Sequence, residues 1–143
     1  MATIYVEGRE RPLHPLHAIF LAFPLPLFLG ALFSDLAYRG SFQVQWLNFS
    51  SWLIAGGLLV GAFALLWGLI GMFRSATARR GKIIIYVAAL LLMWVLGLVN
   101  AFVHAKDAWA TMPEGLFLSI IVTLLALIAA WIGYSGLHAK EVK

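Results

Sequence analysis

The sequence predicts an all-α membrane protein, an antiparallel bundle of four transmembrane helices with both termini in the cytoplasm. Three observations predict it. Apolar residues make up 63% of the 143 residues and charged ones 11%, against about 45–50% and about 25% in ordinary globular chains. Four runs reach the ~20 residues that a helix needs to cross the hydrocarbon. The basic residues gather on one side of such a bundle. A soluble domain of this size has too much surface for its volume to hide so much apolar side chain. Lipid as the solvent removes that difficulty.

The segment Met1 to Pro12 mixes Glu7 and Glu10 with Arg9 and Arg11. The apolar run after it is too long for a cleaved signal core, and no small-residue cleavage site stands at its end. The first span is therefore expected to stay in the mature protein. It runs over about 16–37 and is free of charge until Asp35. Pro24 and Pro26 lie in its middle. Each removes a backbone donor and crowds the preceding turn, so this span should be bent and packed against protein there.

The second span is expected over about 52–73, the third over 83–103 and the fourth over 116–137, all uncharged. Ten-residue alternating segments, the mark of a membrane β-barrel, are absent. The connections are short, which favours antiparallel neighbours in an up-down-up-down order. Small residues recur as Gly57, Gly61, Ala64 and Gly68 in the second span, and as Ala126, Ala130 and Gly133 in the fourth. Such stripes let helix backbones approach closely. They serve packing inside the bundle or, as the sharper use, a homodimer face.

Arg9, Arg11, Arg74, Arg79, Arg80, Lys82, Lys140 and Lys143 fall on one side, and Arg39 and Lys106 on the other. The positive-inside rule then places both ends and the middle connection in the cytoplasm. Trp46, Trp52, Trp109 and Tyr38 fall near the outer boundary, where amphipathic rings settle. The net charge of +4 is explained by this topology and calls for no nucleic acid. The chain has no cysteine, which excludes disulfides, thiolate metal sites and iron–sulfur ligation. No phosphate loop, dinucleotide fingerprint or nucleophile–base pair is present, so no catalytic activity of its own is expected.

Ionisable groups inside a membrane are costly and therefore the best functional pointers. His17 and Asp35 stand 18 residues apart, five whole turns, on one face of a straight helix but ~27 Å apart along it. Each needs a partner on another helix. On the outer side Asp35, Asn100, His104 and Asp107 are expected to form a buried polar network, with Asp35 bridging to Asn100 or His104. A cation held by Asp35, His104 and Asp107, or a proton site, is the other use of that cluster. On the cytoplasmic side are His14, His17 and His138. Imidazoles on facing helices can ligate haem iron from both axial sides, so His17 and His138, with His14 nearby, are candidates to hold a haem b. Against that stand simpler roles: His14 before Pro15 suits a cap, and His138 suits a helix C-terminus.

The opening His14-Pro15-Leu16-His17-Ala18, then Phe23-Pro24 and Asp35-Leu36, resembles the start of a bacterial four-span inner-membrane family filed as domain of unknown function 2231. Trp131-Ile132-Gly133 with His138 beyond is similar to that family's close. Tyr134, Ser135 and Gly136 depart from it, standing where the family pattern has a second glycine and a carboxylate. The resemblance runs from about Leu13 to His138. It implies a multi-pass protein of the bacterial inner membrane in a redox setting, since members are sometimes joined to cytochrome c or Rieske-type domains. Three functions follow as expectations. The first is a haem b electron-transfer module of a respiratory-type complex. The second is a non-catalytic accessory subunit among other membrane subunits. The third is a small proton or ion carrier.

Overall fold

A computed structural model of the chain describes residues 10–11, 13–74, 80–136 and 139–140. Arg9, Arg79, His138 and Lys143 lie outside them. Helices α1 (Pro15–Ala22) and α2 (Pro24–Ser41) form the first rod, followed by α3 (Val44–Arg74), α4 (Arg80–His104) and α5 (Glu114–Gly136). Four rods are long and apolar enough to cross a membrane. Strands β1 (Glu10–Arg11) and β2 (Ala139–Lys140) pair antiparallel, with Glu10 opposite Lys140. The pairing joins the two ends of the chain at one end of the bundle, hereafter the terminal end.

The rods pack in a ring, α2 against α3, α3 against α4, α4 against α5 and α5 against α2. Consecutive rods are antiparallel, so α2 and α4 run in the same direction across the diagonal. Between them lies an apolar core of Phe28, Ile54, Leu58, Leu90, Met93, Val122 and Ala126. The outward residues are large and apolar as well, Phe33, Leu59, Phe63, Leu66, Phe102 and Leu124 among them. A helix apolar all round is what a lipid solvent selects.

α1 starts on a cap from the His14 imidazole, whose Nδ1 accepts from Leu16 N–H at 3.3 Å, with Pro15 at the first helical position. Pro is suited there because its missing donor has no partner in that turn anyway. The rod breaks at Phe23, between the two helices. Pro24 and Pro26 each lack the N–H that would continue the ladder across it. Pro24 is buried and faces the Gly61 position of α3. α2 ends on Phe42, left-handed at φ 55°, whose N–H bonds the Tyr38 carbonyl at 2.7 Å.

α3 begins at Val44, eight residues before the expected start. At 1.5 Å per residue its 31 residues reach about 46 Å, more than the hydrocarbon thickness. Gln45, Asn48 and Ser51 occupy its opening turns, and Gln45 and Asn48 are exposed. The helix thus continues past the apolar stretch that marks the span.

The glycine stripe of α3 is spent inside the chain. A Cβ at Gly57 would come within 2.9 Å of the Phe28 ring, and one at Gly61 within 3.3 Å of Met93. Phe28 is inserted between Gly57 of α3 and Gly97 of α4. Ala126 and Gly133 of α5 are buried likewise.

Candidate functional site

Two polar clusters stand in this apolar bundle, one within about two turns of each end. At the end opposite the termini, Asp35 of α2 meets His104, the last residue of α4. Oδ1 of Asp35 lies 2.9 Å from Nε2 of His104. Both are buried, at 0% and 6% exposure. Ser119 of α5 donates to Oδ2 of Asp35, and Nδ2 of Asn100 donates to Ser119 Oγ at 2.9 Å. Ser50 of α3 donates to the Ala31 carbonyl at 3.3 Å and presents its oxygen to His104 Nε2 at 3.2 Å. Every rod contributes to the knot.

Donors and acceptors define where protons sit. Nδ1 of His104 faces the Asn100 carbonyl at 3.0 Å, and a carbonyl only accepts. Nδ1 therefore carries a proton. One further proton is held between His104 Nε2 and Asp35 Oδ1. On the nitrogen it makes an imidazolium–carboxylate pair, and on the oxygen a neutral pair. Ser50 spends its own hydrogen on Ala31, so its oxygen is free to accept from Nε2 as well. The imidazole packs against the start of α5 at Gly115, where a Cβ would come within 2.9 Å of His104 Cε1. Oδ1 of Asn100 is buried with no hydrogen-bond partner among the described residues, so the cluster carries one unspent acceptor.

The connection 105–113 covers this end. The Tyr38 hydroxyl donates to the Ala108 carbonyl at 3.1 Å, Trp109 stacks on Phe42, and Thr111 is buried. Asp107, expected within the network, stands outside it. It is exposed and precedes the short 3-10 turn Ala108–Ala110. α4 ends at His104, so the face that would have carried Asp107 toward Asp35 is not continued. Among the described residues no three His, Asp or Glu side chains gather as for a metal ion.

At the terminal end His17 of α1 is buried, and its Nε2 lies 2.7 Å from the Tyr86 hydroxyl of α4. Trp67 of α3 stacks on the His17 ring at 5.9 Å and leans on His14 at 4.9 Å. A cavity of about 130 Å³ adjoins the pair, lined by His17, Trp67, Gly68, Gly71, Ile83 and Tyr86. The cavity by itself is smaller than a haem b macrocycle. The nitrogen that would ligate iron is engaged by Tyr86, and the space is that of one small ring. His14 is exposed and serves as the cap. His138 lies outside the described residues.

The structure thus brings Asp35, Asn100 and His104 together, seats His17 on Tyr86, and leaves Asp107 apart. Ser50, Ser119, Trp67 and Tyr86 are not among the residues that the sequence singles out. Ser119 and Thr123 are hydroxyls four apart in an apolar run, a helical spacing that marks one polar face. Tyr86 is the sole tyrosine of the third span. Both are signals that the sequence carries. Ser50 carries none, because it falls before the expected start of its helix.

A family model described as a predicted membrane protein (DUF2231) matches residues 13–140. No curated protein and no solved structure matches the chain.

Proposed function

This chain belongs to the DUF2231 family of predicted membrane proteins, and from that premise we propose that it is a non-catalytic membrane module holding one exchangeable proton on its Asp35–His104 pair. In this reading it works as an accessory subunit of a larger, redox-associated assembly in the bacterial inner membrane.

One observation carries the proposal: a carboxylate and an imidazole 2.9 Å apart are sealed inside a lipid-solvated bundle. Burying two ionisable groups costs several kcal/mol per charge before their attraction repays it. Hydroxyls and amides alone would tie the helices together without that cost. A static bridge has no use for a movable proton, whereas a proton-holding site does. The unspent Asn100 oxygen supports the same reading, because it offers an acceptor to a further donor. The second cluster lies ~27 Å away along the rod with apolar core between. This favours a site serving its own side of the membrane over a carrier that moves protons or ions across.

Infrared difference spectroscopy on the reconstituted protein tests the reading. The expected result is a deuterium-sensitive band of the proton between His104 Nε2 and Asp35 Oδ1 that exchanges in the folded protein and is lost in Asp35→Asn. A folded wild type with no such band would leave Asp35 and His104 as a locked bridge and end the proposal. The haem b reading of His17, His14 and His138 requires the His17–Tyr86 bond to open. The expected result of adding haem to the purified protein is no Soret band, and a stoichiometric band would restore that reading.

A further inference from the structure

The terminal-end pocket has chemistry of its own, independent of the Asp35–His104 reading. A neutral imidazole and a phenol bring two hydrogens to their contact, one N–H and one O–H. The His17–Tyr86 bond uses one of them. If the phenol donates to Nε2, the N–H on Nδ1 has no acceptor among the described residues. If Nε2 donates, the phenol hydrogen has none. In either tautomer one donor of the pair is unspent among the described residues, and both residues line the cavity.

The cavity is about 130 Å³, and an apolar cavity of about 150 Å³ accepts one benzene ring. The walls supply flat surfaces, with the Trp67 and His17 rings 21° from parallel. On the α3 side Gly68 and Gly71 present no side chain. A Cβ at Gly71 would meet nothing within 4 Å, so the pocket is open over that position.

His17, Trp67 and Tyr86 all lie within about two turns of the helix ends. Gly71 and Ile83 are half-buried rather than sealed. A ligand reaches this depth through the bilayer with its ring near the headgroup boundary and an apolar tail left in lipid. An oxygen acceptor on one flat ring, carried by a lipid-soluble molecule, is the chemistry of an isoprenoid-type quinone headgroup. The geometry points to a binding site for a lipid-soluble benzoquinone, its ring in the His17–Trp67–Tyr86 cavity and one carbonyl oxygen accepting the unspent donor.

The test uses the full chain in nanodiscs and a decyl-substituted 1,4-benzoquinone, read by quenching of Trp67. The Trp67 signal is the difference between wild type and Trp67→Phe, since the chain holds six tryptophans. The expected result is saturable quenching of that component. Gly71→Leu extends a side chain over the cavity from a position whose Cβ meets nothing within 4 Å, and is expected to weaken binding at least about tenfold while circular dichroism stays unchanged. Decylbenzene, which has the ring and tail but no carbonyl, is expected to compete about tenfold less well, the factor for one lost hydrogen bond. Quenching that rises linearly in wild type and Gly71→Leu alike would reduce the effect to partition into lipid and overturn the site. Equal competition by decylbenzene would leave an apolar hole and overturn the assignment to a carbonyl-bearing ligand.

Discussion

Asp35 shows how much a single residue can reveal by its position in the chain. A carboxylate in an apolar run must find a partner, and the sequence narrows the partners to Asn100 and His104 by their shared side of the bundle. His104 makes the direct contact, and Asn100 acts one step removed through Ser119. The choice between them was not legible, because it turns on which side of α4 meets α2. Ser119 was legible as part of a polar face with Thr123 but not as a partner of Asp35, because a serine in a membrane helix usually bonds its own backbone, as Ser34 does with the Gly30 carbonyl. Removing one partner of a buried pair strands the other. Asp35→Ala and His104→Ala are each expected to lower stability by about 3–5 kcal/mol. The double variant should cost less than the two losses together, a shortfall that a double-mutant cycle measures. Additive losses in detergent unfolding would mean that the two side chains do not interact.

At the scale of elements, hydropathy placed the helices well and their ends less well. The bend in the first rod followed from Pro24 and Pro26, since a missing N–H acts the same way in any helix. The early start of α3 did not follow. Gln45, Asn48 and Ser51 lower the local hydropathy without breaking a helix, so the apolar stretch and the helix end in different places. The glycine stripe was legible as a close approach, but not which neighbour approaches. It is the Phe28 ring, held between α3 and α4. Gly57→Ala should therefore cost about 1–3 kcal/mol through overpacking. Gly71→Ala, with open space around its Cβ, should leave stability unchanged or slightly raised, as a glycine is replaced in a helix. Thermal unfolding of the two variants side by side separates steric contact from helix propensity.

For the whole molecule, the ring of four antiparallel rods brings β1, β2, the end of α3 and the start of α4 to one face. The arginines and lysines there propose that face as cytoplasmic. The natural absence of cysteine makes a direct check simple. Gly40→Cys and Gly81→Cys sit at opposite ends of the bundle, both exposed and with room for a side chain. An impermeant thiol reagent added to intact cells is expected to label Gly40→Cys and to reach Gly81→Cys only after lysis. The reverse pattern would invert the proposed orientation while leaving the packing untouched.

The two polar contacts have the same register. Asp35 follows His17 by 18 residues, and His104 follows Tyr86 by 18. The first rod and α4 run in one direction across the diagonal of the ring and are tied at both ends by rungs of equal spacing. Mechanically that is a parallelogram. It permits the two rods to tilt together but resists one sliding lengthwise past the other, because a slide breaks both rungs at once. A disturbance at one membrane face would therefore reach the other as a shared lean, with any mismatch taken up at the joint beside Phe23.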